Sequence, residues 1–289
     1  MINLSTALKK ISLMICSVCI HYAHAQTPSG IQLIVRSDDM GFCHAVNKAC
    51  MEVYRQGISR TVEILAPTPW FMEAVTLLQA NPGYDVGVHL CLTSEWTNLR
   101  WRPLTSAPSL VDADGYFPQF IWKNNKDTTT AYLLQKHINI AEVEAEFRAQ
   151  IELVKKYLPH VSHLSAHMGC SDANAAVKSL VNKLALEYKL PIDLPAGVKY
   201  INNFGGSHKS PLQKAKQLAN ILDTISNGVY CLVEHPGIDN EEMQSLFHKG
   251  YENVGYDRGG VTKAFTSKRV KQVIARRKIK LVSIKEVLQ

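Results

Sequence analysis

Two adjacent carboxylates, Asp38 and Asp39, follow closely on a strand-like run whose apolar residues are Ile31, Leu33, Ile34 and Val35. Like charges side by side raise each other's pKa unless a cation or hydrogen-bond donors compensate. The plain alternative is a solvated turn in which an aspartate caps the next helix. The histidines weigh against it. His89 lies in "GVHLCLT", His163 and His167 in "HLSAHMG", and Glu234 and His235 in "VEHPG", each at the C-terminal end of a strand-like run. Any one histidine is more often structural than a ligand, but four at corresponding strand ends, facing two carboxylates, are not explained by packing. One carboxylate with two imidazoles suits a divalent transition metal with open positions. Zinc in such a site lowers the pKa of its water to about 7 and polarises a carbonyl. Its charge would also keep the second aspartate ionised as a general base. His163 and His167 have the spacing of a helical zinc pair, but no Glu follows His163 and the segment reads as a strand, so H-E-x-x-H protease logic does not apply.

The elements that must position these residues alternate. "IQLIVR" leads into "HAVNKACMEVYRQG", whose Val46, Ala49, Cys50 and Val53 recur at helical spacing before Gly57. "VEILAP" precedes the helix "FMEAVTLLQANPG", and "VGVHLCL" is the third strand. "AEVEAEFRAQIELVKKYLP" leads to "HLSAH", "NAAVKSLVNKLALEY" to "LPID", "SPLQKAKQLANILDTI" to "VYCLVEHP", and "VKQVIARR" to "IKLVSI". Strand and helix alternating about seven times predicts an α/β fold with a parallel sheet. With no G-x-G-x-x-G turn after the first strand, a closed or nearly closed barrel fits better than an open sheet. Strand C-terminal ends build the active site of such barrels, so the residues above should converge. Residues 94 to 140 break the pattern with an irregular insertion that reads as a lid or binding loop. Its Trp96, Trp101, Tyr116, Phe117 and Trp122 either stack on sugar rings or pin the loop to the barrel.

Residues 1–25 read as a secretory signal: Lys9 and Lys10, the apolar "ISLMICSVCI", then Ala23-His24-Ala25 as a cleavage site. The apolar run is too short to span a bilayer, and no later stretch reaches the roughly 20 residues required. An exported protein, periplasmic or secreted, is expected, with residues 26–289 forming a single domain. Removing the two lysines lowers the formal charge from +7 to +5. The excess lies in "KRVKQVIARRKIK", where the charges flank Val270, Val273 and Ile274 as on the solvated face of an amphipathic helix. Aromatic interleaving is missing there, so nucleic acid is not an expected partner. Five cysteines remain beyond the leader, Cys43, Cys50, Cys91, Cys170 and Cys231, scattered and odd in number, which does not describe a disulfide framework.

In this order and spacing, "IVRSDDMGFCHAVNKA", "GVHLCLTSEW", "HLSAHMG" and "VEHPG" resemble the YdjC-like carbohydrate deacetylases, relatives of the chitooligosaccharide deacetylases. The resemblance spans nearly the whole chain beyond the leader. It implies an irregular (β/α) barrel of about seven parallel strands, and removal of N-acetyl groups from amino sugars with one divalent metal ion. Zinc would be the first choice and magnesium the second. Residue by residue, it implies Asp39, His89 and His167 as metal ligands, Asp38 as the base, and His235 as the acid for the leaving amine. His163, Ser165, Arg258, Trp96 and Trp101 would support the ligands or meet the substrate.

Two positions depart from the family pattern. Its H-L-D-S-H motif reads His163-Leu164-Ser165-Ala166-His167 here, with Ser165 in place of an aspartate expected to orient a ligand histidine. Losing such a partner typically costs 10- to 100-fold in affinity or activity, so a weakened metal site is expected. Three residues after Arg258, where an acid is the rule, stands Val261. The leading expectation is an exported metal-dependent N-deacetylase acting on an N-acetylated oligosaccharide or glycan. The alternatives are a carbohydrate-binding protein of reduced or lost turnover on the same scaffold, and a metal-dependent esterase.

Overall fold

The computed structural model describes residues 30–125, 128–202 and 204–289; the leader expected at residues 1–25 lies outside them. The strands are β1 (Ile31–Met40), β2 (Thr61–Ile64), β3 (Asp85–Leu90), β4 (His163–Ala166), β5 (Lys199–Tyr200), β6 (Gly228–Glu234) and β7 (Lys280–Val282). The helices are α1 (His44–Arg55), α2 (Phe71–Gln79), α3 (Ile140–Tyr157), α4 (Ala175–Tyr188), α5 (Pro211–Thr224), α6 (Glu241–Gln244), α7 (Val254–Thr266), α8 (Lys268–Arg276) and α9 (Ile284–Leu288). All seven strands pair in parallel, in the order β4-β3-β2-β1-β6-β5. The first half of β1 takes β7 on the edge whose second half takes β2. The sheet curls as an open half-barrel: among the described residues β4 and β5 do not pair with each other.

The fifth strand is not where the sequence predicts it. "LPID" (190–193) is irregular, and Lys199–Tyr200 pairs with β6 on the opposite edge instead. Pro191 explains the difference: its carbonyl accepts from Leu164 N (2.9 Å), but it has no N–H with which to continue a ladder. Elsewhere local chemistry sets the boundaries as expected. Ser210 and Gln213 form a capping box ahead of α5 with Pro211 inside its first turn, and Asn174 caps α4.

Polarity rather than burial alternates along β2, β3 and β4, whose residues are almost all buried. Val62, Ile64, Val86, Val88, Leu90 and Leu164 belong to the apolar core that the sheet shares with the α1–α4 half of the helices. Leu33, Val35 and Leu232 do the same beneath α5, α7 and α8, where Val270, Val273 and Ile274 are buried as the amphipathic reading predicts. The opposite faces of β2, β3 and β4 line the barrel interior with Thr61, Glu63, Asp85, His89, His163 and Ser165, all buried. Among the described residues an apolar part of the interior lies beside β1, β6 and β7, where Ile34, Cys231 and Val282 meet Ile284 of α9. Gly87 makes the polar column fit. A Cβ there would come within 2.8 Å of His163 Cδ2, and closer still to His163 Nε2 and Glu63 Oε2.

The insertion is pinned to the barrel. Glu146 of α3 accepts from Leu104 N (3.1 Å) and Thr105 N (3.0 Å), and Glu142 from Ser109 N (2.8 Å). Trp96, Trp101 and Phe117 are buried beneath it, whereas Trp122 is 46 % exposed. All five cysteines among the described residues are buried and free. No helix among the described residues is long and apolar enough to cross a membrane.

Candidate metal centre and active site

Neighbouring residues of a strand face opposite ways, so the Asp38–Asp39 pair cannot serve one site from a regular β1. The register of β1 against β2 shifts between Ser37 and Met40, and Asp39 takes a left-handed φ of 74°. That conformation is uncommon outside glycine but several-fold enriched in Asp and Asn. It turns the second carboxylate back toward the side the first already faces.

The two carboxylates then have different partners. Asp38 is held by Arg36 through two parallel hydrogen bonds, Nε to Oδ1 and Nη2 to Oδ2, each 2.8 Å. Asp39 Oδ1 faces the imidazoles: His167 Nδ1 at 3.1 Å and His89 Nε2 at 3.5 Å. Asp39 Oδ2 accepts from Arg258 Nη1 (2.9 Å), with His235 Nε2 at 3.9 Å. Ligand atoms of Asp39, His89 and His167 all lie within 4.8 Å of one another, and all three residues are buried. His89 Nε2 also comes within 3.8 Å of Asp38 Oδ2. Five of the residues expected to converge do so: Asp38, Asp39, His89, His167 and His235.

Charge is concentrated there. Burial alone would raise the Asp39 carboxyl, but His167, His235 and Arg258 outweigh it and hold it well below the usual carboxylate range. Burial disfavours a charged His167, yet Asp39 beside it raises its pKa. The pocket thus draws positive charge toward Asp39. His167 Nε2 is buried without a hydrogen-bond partner. An acid and two imidazoles within ligand reach, with one ring nitrogen unpartnered, fit a divalent transition ion. His235 sits at the mouth with 41 % of its side chain exposed. The surrounding walls, with Arg258, push its pKa below the ordinary histidine value despite Asp39.

Of the supporting residues, Arg258 packs over Trp96 (5.0 Å to the ring centroid) and Phe42 (5.4 Å), and its Nη2 lies 3.6 Å from Glu95 Oε2. Glu95 thereby supplies from the insertion an acid that position 261 lacks; Val261 is buried in the apolar core. Trp96 and Trp101 are walls rather than sugar platforms. Trp96 is fully enclosed behind Arg258, and the Trp101 ring lies 6.5 Å from that of His167. Among the tryptophans of the insertion the exposed one is Trp122, on a cavity of about 620 Å³ that it lines with Phe120, Met168, His248 and Tyr251. His163 and Ser165 do face inward with His167, but one layer deeper. His163 Nε2 pairs with Glu63 Oε1 (2.7 Å), while Ser165 Oγ donates to Glu63 Oε2 and meets His89 Nδ1 at 2.7 Å.

Arg36, Glu63 and Glu95 were not singled out from the sequence. Two of them carried a usable signal, because a lone ionisable residue inside an apolar strand is expensive to bury without a partner. Arg36 in "LIVRS" and Glu63 in "TVEIL" are such residues. Glu95, in an irregular loop, carried none.

The comparisons with known proteins agree with the geometry. A family model described as YdjC-like protein matches residues 32–276. A carbohydrate deacetylase of Brevibacillus brevis is 26% identical over 270 residues, covering 89% of this chain and 100% of the relative. Another, of Thermoanaerobacter pseudethanolicus, is 24% identical over 226 residues, covering 74% of this chain and 84% of the relative. Among solved structures, an Enterococcus faecalis protein described as a cellobiose-phosphate cleavage protein shares the fold. Its TM-score is 0.70 at 24% identity, over 89% of this chain and 99% of that one. From Gln32 to Arg276, across all the strands but the last and every site residue above, the chain belongs to the YdjC-like family.

Proposed function

We propose that this protein is a metal-dependent hydrolase that removes N-acetyl groups from amino-sugar-containing oligosaccharides or glycans. The observation that carries the reading is the buried cluster of Asp39, His89 and His167 beside a second, separately held carboxylate, Asp38. The relatives named carbohydrate deacetylase support the reaction. Two imidazoles in the donor set favour zinc over magnesium. When bound, such an ion supplies Lewis acidity, polarising the acetyl carbonyl and making water acidic enough to lose a proton near pH 7.

The chain's own residues divide the remaining work. Arg36 fixes the Asp38 carboxylate, and each oxygen keeps a further lone pair able to accept the proton of the attacking water. Arg258 holds the outer oxygen of Asp39, which leaves the inner one to the imidazoles. His235, at the mouth with a lowered pKa, readily gives up a proton once it has one, which suits the departing amine. The Trp122 cavity offers an aromatic face to a neighbouring sugar ring. Lys9, Lys10, the apolar run behind them and the Ala23-His24-Ala25 site support export to the periplasm or beyond.

Acetate release from a panel of N-acetylated oligosaccharides, with and without chelator, tests the proposal. Release that zinc restores after chelation is expected. No acetate from any N-acetylated substrate with zinc-loaded protein overturns it, and release from O-acetylated sugars alone would make the protein an esterase.

A further inference from the structure

Glu63 touches neither the candidate ligands nor the open cavity, yet its position decides what one ligand can do. Both of its oxygens accept hydrogen bonds, Oε1 from His163 Nε2 (2.7 Å) and Oε2 from Ser165 Oγ. A serine hydroxyl has one proton to donate. With that proton given to Glu63, Ser165 Oγ can only accept at its contact with His89 Nδ1, 2.7 Å away. His89 therefore carries its hydrogen on Nδ1 and turns the lone pair of Nε2 toward Asp39 and Asp38.

We infer that Glu63 is a positioning residue for the metal centre, acting through Ser165 to fix the tautomer and ring orientation of His89. The inference rests on the metal reading above. A carboxylate behind a ligand histidine is a common device in metal sites, and its loss typically costs 10- to 100-fold in affinity. Here the carboxylate stands on β2, and the serine of β4 transmits it.

The surroundings are built for that arrangement. Gly87 leaves the space that Glu63 and His163 occupy. His163 is itself held from below, its Nδ1 2.7 Å from Ser162 Oγ, which donates to Asp85 Oδ1 (2.6 Å). Asp85, Ser162, His163, Glu63, Ser165 and His89 thus form one unbroken series of hydrogen bonds up the barrel interior. Arg36 joins it from the side: its Nε lies 3.8 Å from Glu63 Oε1 while it clamps Asp38. Ser165 is therefore not a lost carboxylate, because the charge is one residue behind it.

The test is the zinc dissociation constant at pH 7.5, by competition with a chromophoric chelator, with melting curves of the metal-free proteins to check folding. Ser165→Ala and Glu63→Gln should each weaken zinc binding 10- to 100-fold. Because the two act in series, the double variant should bind within threefold of Ser165→Ala alone. Glu63→Gln with Ser165→Asp, which returns a carboxylate directly to His89, should bind within threefold of the parent. A merely structural role would not produce that rescue. Glu63→Gln binding as tightly as the parent, or losses that multiply in the double variant, overturns the inference. So does a folded Glu63→Gln/Ser165→Asp protein that binds zinc more than tenfold worse than the parent, a result readable even if Glu63→Gln alone does not fold. A folded parent that binds no zinc overturns the metal reading itself, and this inference with it.

Discussion

Replacing Gly87 with alanine measures how tightly the interior is assembled. Gly87 has an ordinary strand conformation, so the backbone accepts alanine, and the substitution even gains about 0.4–1 kcal/mol by restricting the unfolded chain. The cost comes from what the methyl meets. Its nearest neighbours are the polar ends of Glu63 and His163, both buried and bonded to each other at 2.7 Å. Neither can swing to solvent, so one must yield its partner. Overpacking costs about 1–3 kcal/mol, and disrupting a buried ion pair about 3–5 kcal/mol. With partial relaxation and the entropic gain set against these, a net loss of about 3 kcal/mol is expected. For a chain of this size each kcal/mol lowers Tm by about 2–4 °C, so the midpoint should fall by about 6–12 °C. Circular dichroism melts of the metal-free protein at pH 7 read it directly. Gly206→Ala is the control, since a Cβ there meets nothing within 4 Å, and it should stay within about 0.5 kcal/mol of the parent. A fall of less than 2 °C for Gly87→Ala would show that the column is loose, and would refute the reasoning.

Two further outcomes are expected. Asp38→Asn should keep its zinc content while kcat drops about 10²- to 10⁴-fold, because Asp38 is spared as a ligand and lost as a base; loss of zinc in that variant would mean the two aspartates have each other's roles. Burial pushes the Glu234 carboxyl up from 4.5 to about 7, so the folded chain keeps a proton that the unfolded chain releases near 4.5, and stability falls as pH rises through that window. Glu234→Gln should therefore melt like the parent at pH 4 and, by on the order of 1–2 kcal/mol, more stably at pH 8; equal melting at pH 8 would contradict the shift.

The ligand-bearing strand ends are legible because chemistry and periodicity coincide there: Asp39 and His89 lie near the C-terminal ends of β1 and β3, and His167 directly follows β4. Strand alternation puts 163 and 165 on one face without saying which way it turns, and the structure turns both inward with His167. What alternation could not say is how Asp38 and Asp39 serve one site, since that depends on a register shift and a left-handed residue, both products of pairing between β1 and β2. The Ser165 departure was read as a missing charge because Glu63 is 102 positions away and meets it only once β2, β3 and β4 are side by side. The short fifth strand escaped for a related reason. Lys199–Tyr200 is two exposed residues long, and its pairing with β6 owes nothing to an apolar pattern.

The lowest rung of the polar column is fastened from the far end of the chain. Asp85 Oδ2 accepts from Lys285 N (2.9 Å), Thr61 Oγ1 from Ile284 N (3.0 Å), and β7 pairs with the first half of β1. The strand that presents both aspartates is thus completed by residues 280–282, which are synthesised after all the other described strands. Contacts so distant in sequence repay their loop-closure entropy late. A nascent chain can form the β1–β4 half with its helices while the floor of the barrel is still missing. The site gains its final order only when residues 280–289 are in place, so removing them would loosen a centre that their hydrogen bonds reach only through Thr61 and Asp85.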